Sequence, residues 1–271
     1  MSNILKRSLA PVTEEAWNEI DAQARQILAG NLSGRRIVDV SGPHGWECAA
    51  VNLGTVTAAK SEALKGVTWG VRDVLPLVEI RVPFTLGIWD LDNINRGSKT
   101  PELDAVVTAA QRAALFEENA VYHGFSGGGI SGLLKASSNK AVTFAPSAAT
   151  FAGVVESAVH TIQSRGIGGP YDLVLGDDPY QVLSIGSAEG YPLKQKVLAI
   201  LDGGSILWSP AIDGGAVVSR RGGDYELVIG QDFSIGYHSH DARNVSLYIT
   251  ESVAFRVLEP NAAVELKLKK Q

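Results

Sequence analysis

His238-Ser-His240-Asp241 places two imidazoles two residues apart, and an extended segment would turn both toward one metal ion. The segment is polar and no carboxylate cluster can be assigned beside it, so a solvated loop is the better reading. Asp90-Leu-Asp92-Asn93 opens like a calcium loop, yet Ile94 occupies the next expected ligand position. Neither the glycine nor the distal glutamate of such a loop follows in register. Five glycines fall within Gly124-Phe-Ser-Gly-Gly-Gly-Ile-Ser-Gly132, a composition that suggests a phosphate cradle. A dinucleotide fingerprint would follow a buried strand and open a helix, and a P-loop would end in Gly-Lys-Ser/Thr. Here the glycines follow the end of a predicted helix and lead into Leu133-Leu134-Lys135. A serine hydrolase needs a nucleophile elbow or an equivalent Ser/His/Asp arrangement, and none is assigned. Cys48, the single cysteine, excludes an internal disulfide and any zinc site of several thiolates.

With no reaction centre assigned, the elements and their surfaces carry the argument. Residues 13–31 form a predicted amphipathic helix. Thr13 can cap it, Glu14 and Glu15 suit its positive end, and Trp17, Ile20, Ala24, Ile27 and Leu28 share a stripe. Residues 35–40 read as a short strand and Gly42-Pro43-His44-Gly45 as a turn. Residues 51–70 lack an apolar period and carry Thr55, Thr57, Lys60, Glu62 and Lys65, which predicts a long arm of two weak strands that pairs elsewhere. Residues 74–89 read as a strand entering the core. Thr100 as cap and Pro101 at the first position announce a second helix to about residue 119, with Leu103, Val106, Val107, Ala110 and Ala114 inward. A third helix, 146–163, is stopped by Gly166. Residues 171–208 alternate strand, helix, helix and strand, the pattern of an α/β lobe. Strands are expected at 216–219, 225–229, 246–250 and 254–258, with Arg221-Gly222-Gly223-Asp224 as a hairpin turn and 238–241 left as loop.

At 271 residues, 45% apolar and 20% charged, the chain can bury a large core. A net charge of -5 without a basic run argues against nucleic acid as a partner. No stretch approaches the roughly 20 apolar residues of a membrane span, and the first nine residues are too polar for a signal peptide. A cytoplasmic protein is expected.

Resemblance supplies the rest. Leu5-Lys-Arg-Ser-Leu-Ala-Pro-Val-Thr-Glu-Glu-Ala-Trp17, Gly34-Arg-Arg-Ile-Val-Asp-Val40 and Gly42-Pro-His-Gly-Trp46 resemble the opening of the encapsulin shell proteins. Further blocks match in order: Pro76-Leu-Val-Glu-Ile-Arg81, Phe84-Thr-Leu86, Trp89-Asp-Leu-Asp-Asn-Ile-Asn-Arg-Gly97, Gly169-Pro-Tyr-Asp-Leu-Val174, Gly190-Tyr-Pro-Leu193, and the run from Gly222 to Tyr237. The resemblance spans the whole chain. It implies an α+β tailed-phage major capsid fold with a peripheral domain, an axial domain and an extended loop. On that fold, residues 1–50 hold the N-terminal helix and start the peripheral domain, 51–73 are the extended loop, and 74–134 are peripheral with a spine helix. Residues 135–222 are axial, 223–258 return peripheral strands, and 259–271 are a C-terminal segment.

The same resemblance implies a non-enzymatic, icosahedral homo-oligomer, the smallest shell being the expectation. Such shells enclose a cargo enzyme, a ferritin-like iron oxidase or dye-decolourising peroxidase, by docking its C-terminal targeting peptide on the inner wall. The docking residues implied here are Ile27, Leu28, Arg35, Asp39, Phe233 and Ile235. From the residues alone, the apolar ones read rather as ordinary core, with Arg35 paired to Asp39 across a surface. Ser187, Ala188 and Glu189 are implied around a fivefold pore. Trp89 near Arg81 is implied as a surface flavin (FMN) site, no cofactor being required otherwise. A provirus capsid protein packaging DNA, and a bacteriocin- or protease-like activity, remain alternatives.

Overall fold

The computed structural model describes residues 4–188 and 190–269. After a 3-10 turn at Arg7–Leu9, helix α1 spans Glu14–Asn31. Thr13 caps it: the Thr13 hydroxyl accepts the Ala16 amide at 3.3 Å and donates to Asn95 Oδ1 at 2.7 Å. Ala16, Trp17, Ile20 and Ala24 are buried on one stripe. Replacing Thr13 by Ala is expected to cost about 1 kcal/mol, read as a thermal midpoint lower by roughly 2–4 °C.

The strand expected over 35–40 is instead a 3-10 turn, Gly34–Arg36, followed by a three-residue strand β1, Asp39–Ser41. Tertiary contacts override the local pattern, because the Gly34 amide donates to Glu118 Oε1 at 2.7 Å and Arg35 is drawn to buried carboxylates. Strands β2 (Ala50–Ala58) and β3 (Gly70–Pro76) form an antiparallel hairpin that joins no other sheet and is exposed along nearly all its length. Strand β4 (Val78–Gly87) ends two residues before Trp89, which belongs to helix α2 (Ile88–Asn95). Helix α3 spans Asp104–Tyr122, beginning after Thr100 and Pro101. Leu103, buried, sits at its cap position without a side-chain hydrogen bond, so packing rather than capping chemistry sets this boundary.

A small hairpin, β5 (Gly124–Phe125) and β6 (Ile130–Ser131), leads through α4 (Leu133–Ala136) and β7 (Val142–Phe144) into α5 (Ala148–Ser164). Then come β8 (Tyr171–Leu175), α6 (Asp177–Ile185), the short pair β9 (Ser187–Ala188) and β10 (Tyr191–Pro192), α7 (Leu193–Ile200), β11 (Ile206–Trp208) and β12 (Gly215–Ser219). The chain closes with β13 (Tyr225–Ile229), β14 (Ser234–His240), β15 (Asn244–Val257) and β16 (Ala263–Leu268).

Two five-stranded sheets organise these elements. The first has the order β1-β13-β15-β14, with β4 also paired to β15. β15 is one continuous strand where two were expected. Along one edge it pairs with β4; along the other it pairs with β13 and then β14, and residues 230–233 bulge out between them. The polar segment expected as a loop, including His238 and His240, is the exposed end of β14. The second sheet, β11-β8-β12-β16-β7, is flanked by α5, α6 and α7. The last strand, β16, therefore completes this second lobe from what the sequence presented as a terminal segment. Residues 221–224 form no hairpin, because β12 pairs within the second sheet and β13 within the first; they cross between lobes.

Two apolar cores result. One packs α1, α2 and the start of α3 against β4, β14 and the first half of β15. The other fills the second lobe and reaches the end of α3, β13 and the far half of β15. Helix α3 thus runs from one core into the other.

Candidate functional site: a groove behind the first helix

Along β15, Val245, Leu247, Ile249, Val253 and Phe255 alternate toward the cores, and Glu251 occupies the same inward phase, fully buried. On α3, Glu117 falls in register with the buried Val106, Ala110 and Ala113 and is likewise fully buried. Arg35 meets both. Its Nη2 lies 2.6 Å from Glu117 Oε2, 2.7 Å from Glu251 Oε1 and 2.9 Å from Asp232 Oδ1, while Nε donates to Glu117 at 2.9 Å. Burial foremost, and then the Glu117 carboxylate, hold the Glu251 carboxyl well above the ordinary glutamate range. The carboxylate partners hold Arg35 charged against the effect of its burial.

In front of this cluster lies a hollow of about 390 Å³. Ala24, Leu28 and Leu32 of the α1 side form one wall, Ile235 and Ile249 the apolar floor, and Asp232, Phe233 and Ser234 the opposite wall. Leu5 and Arg7 close one end. They are strapped in place: the Leu5 carbonyl accepts the Tyr237 amide at 2.8 Å, and Arg7 forks onto Asp21 (2.7 and 3.1 Å) with its guanidinium 3.9 Å from the Trp17 ring centre. The guanidinium of Arg35 lies 5.1 Å from the Phe233 ring centre, and Asp232 Oδ1 accepts the Phe233 amide at 2.8 Å.

Of the residues suggested for docking, Leu28, Arg35, Phe233 and Ile235 line this hollow. Ile27 and Asp39 do not. Ile27 is half-buried against the core under α1. Asp39 Oδ2 accepts the Gly223 amide at 2.6 Å and lies beside Arg36 and Arg220 in a different, small recess; it does not pair with Arg35, whose carboxylate partners are Glu117, Asp232 and Glu251. Leu5, Asp232, Glu117 and Glu251 were not singled out from the sequence. For the two glutamates the signal was there, a charged residue in the inward phase of an otherwise apolar face.

Ser187 and Ala188 form β9, paired with β10; Glu189 lies outside the described residues. Arg81 lies on β4 and Trp89 in the first turn of α2, both exposed. Six residues of strand, about 20 Å, separate Arg81 from Gly87 just before α2. Arg81 bonds Glu79 and lies 4.9 Å from the Tyr248 ring centre, whereas the exposed Trp89 has Arg96 as its cation, at 5.8 Å. The letters Gly124-Phe-Ser126-Gly-Gly128 match a nucleophile elbow, which needs a strand-to-helix turn. Ser126 instead opens a three-residue 3-10 turn within the β5–β6 hairpin, and His123 Nε2 is engaged with the Ala211 carbonyl at 2.7 Å. Among the described residues, no group of three His, Cys, Asp or Glu side chains could hold a metal ion, and no helix is long and apolar enough to cross a membrane.

The family described as encapsulating protein for peroxidase matches residues 1–254. The chain is 44% identical over 271 residues to the type 1 encapsulin shell protein of Rhodospirillum rubrum, covering 98% of this chain and 96% of the relative. It is 40% identical over 264 residues to that of Mycobacterium tuberculosis, covering 97% and 99%. In structure it is similar to the virus-like particle of Pyrococcus furiosus (TM-score 0.64, 16% identity, 92% and 98% covered) and to Mycobacterium phage Bobi (TM-score 0.59, 12% identity, 89% and 91% covered). The first pair shows the family and the second the capsid fold: this chain belongs to the encapsulin shell proteins, structural subunits rather than enzymes.

Proposed function

We propose that the chain is the wall unit of a small closed icosahedral compartment in the cytoplasm, on the order of 60 copies, and that the hollow behind α1 receives the apolar C-terminal tail of an enclosed enzyme. A ferritin-like iron oxidase or a dye-decolourising peroxidase is the cargo class. The observation that carries the docking reading is the combination of an apolar floor, Ile235 and Ile249, with apolar walls, Leu28 and Phe233, inside a polar rim of Arg25, Arg35 and Asp232. A short tail can bury alternate side chains there and keep its backbone at the rim. In the same reading, the β9–β10 hairpin borders a fivefold opening, where Ser187, Ala188 and Glu189 govern the passage of small ions.

Size-exclusion chromatography with negative-stain microscopy tests the compartment. Hollow particles of uniform diameter are expected; a monomer or dimer under native conditions would overturn the reading, and particles filled with DNA would make the chain a viral capsid protein. Phe233→Asp tests the groove. It places a charge where an apolar tail is to be buried, so intact particles carrying at least about tenfold less cargo are expected, measured by mass spectrometry of purified particles. Leu28→Asp on the opposite wall should do the same. Normal loading in both variants would refute the groove assignment.

A further inference from the structure

The groove wall contains a proton count that does not close with every group ionised. Nη2 of Arg35 carries two hydrogens, yet three carboxylate oxygens, from Glu117, Asp232 and Glu251, lie within 2.9 Å of it. One cation faces three carboxylates, an excess of two negative charges, and two of those carboxylates are fully buried. Glu251 Oε2 is buried with no hydrogen-bond partner. Unscreened like charges this close do not both stay ionised. A proton held by the Glu117–Glu251 pair removes one charge and gives the uncommitted oxygen a hydrogen.

Glu251 also occupies a particular place in the sheet. It lies where β15 changes partner from β13 to β14, beneath the bulge 230–233 that carries Asp232 and Phe233 into the groove. The bulge touches the sheet through Ser252, whose backbone and hydroxyl bond residues 230 and 231. Asp232 and Phe233 are held from the other side, by Arg35.

We propose that the buried Glu117–Glu251 carboxyl pair is a positioning device for the groove, setting the Asp232–Phe233 wall through Arg35 only while the pair retains a shared proton. Insofar as it concerns cargo, this rests on the docking reading above. Arg35 is then a positioning residue rather than a charge partner for the tail. The groups facing Glu251 are Glu117 from α3, Arg35 from the 3-10 turn and Asp232 from the bulge; across β4 its register partner is the uncharged Ile80. Glu118, next on α3, is committed elsewhere, to Ser33, Gly34 and Ser209.

The sign follows from the raised carboxyl of Glu251. The folded wall binds the proton more tightly than the unfolded chain, so its order is complete below the ordinary glutamate range and declines as pH rises toward the folded value. The test needs no cargo, which separates it from the docking reading. Hydrogen exchange followed by mass spectrometry on assembled wild-type shells, corrected for the intrinsic rate, is run from about pH 4, at the ordinary glutamate range, up to about pH 9, as far as buried glutamates are known to titrate. Protection of residues 230–235 should fall by about tenfold or more while β8 stays protected, and Glu251→Gln, which keeps the bond to Arg35 but cannot ionise, should show a flat profile. A wild-type profile without the fall, an equal fall in Glu251→Gln, or a fall shared by β8 would overturn the proposal. If Glu251→Gln shells do not assemble, Glu117→Gln provides the same comparison.

Discussion

A chain carrying Val56→Asp, Leu64→Asp and Val71→Asp is expected to fold normally and to form no particles. All three side chains lie on the β2–β3 arm, at 59%, 73% and 60% exposure, so the substitutions touch neither core. Changes at such positions usually alter subunit stability by no more than about 0.5 kcal/mol. An isolated two-stranded hairpin is marginal in water, and this one joins no other sheet. What stiffens it is internal. Thr55 and Thr57 both donate to Asp73 at 2.7 Å, bonds that also hold the Asp73 carboxyl below its usual range. A stiff hairpin that exposes Leu53, Trp69 and Val74 as well would bury these side chains only against another copy, which is the contact the triple variant tests. Burying each Val or Leu contributes about 1.5–3 kcal/mol, and a carboxylate left unpaired in the same place reverses the sign. Repeated at every symmetry-related contact, that difference should take particles from the dominant species to undetectable. Size-exclusion chromatography reads the assembly, and thermal unfolding by circular dichroism checks that the subunit remains folded; normal particles would remove the arm from the assembly interface.

How much of this could be read from the sequence depends on whether the cause was local. Helix α1 was legible because Thr13, the acidic first turn and the Trp17–Ile20–Ala24 stripe all lie within it. The arm was legible for the opposite reason, since its residues could not build a core. Arg35 was not, because its geometry is set by Glu117 and Glu251, 82 and 216 residues away. The same distance hid the true partner of Asp39, the Gly223 amide 184 residues on. The end of β14, His238 to His240, reads as loop because it is polar; only pairing with β15 makes it strand. Of the groove, the apolar members Leu28, Phe233 and Ile235 were accessible through family resemblance. The charged support behind them was visible in principle as two glutamates in inward phase, but which cation they meet depends on the fold bringing α3, β15 and the turn after α1 together.

The second large effect is expected at Glu118, where one carboxyl bonds segments of both lobes. Glu118 is fully buried on α3 and accepts from the Ser33 hydroxyl at 2.5 Å, the Gly34 amide at 2.7 Å and the Ser209 hydroxyl at 2.8 Å, with the Tyr122 hydroxyl 2.7 Å from Ser33. Ser33 and Gly34 follow α1 in the first lobe; Ser209 follows β11 in the second. Glu118→Ala leaves three buried donors without an acceptor, each worth about 1–3 kcal/mol, and a loss of about 3–5 kcal/mol overall follows because the site relaxes in part. The thermal midpoint of the subunit should fall by roughly 10 °C. Glu118→Leu separates volume from polarity: it restores the packing and still strands the donors, so it should be nearly as damaging as Ala. Glu118→Gln keeps one acceptor oxygen and should lose only about 1–2 kcal/mol. Burial holds the Glu118 carboxyl above its ordinary range despite these donors, so wild type should lose stability as pH rises from the ordinary glutamate range toward the folded value, and Gln should remove that part of the slope. Equal midpoints for Leu and wild type would show that the polar tie contributes nothing. With the tie cut, α3 and the core that β13 and the far half of β15 share with the second lobe still join the two, but the turn after α1 is released from the segment after β11; a closed shell needs one geometry repeated in every copy, so particles less uniform in diameter are expected in negative stain.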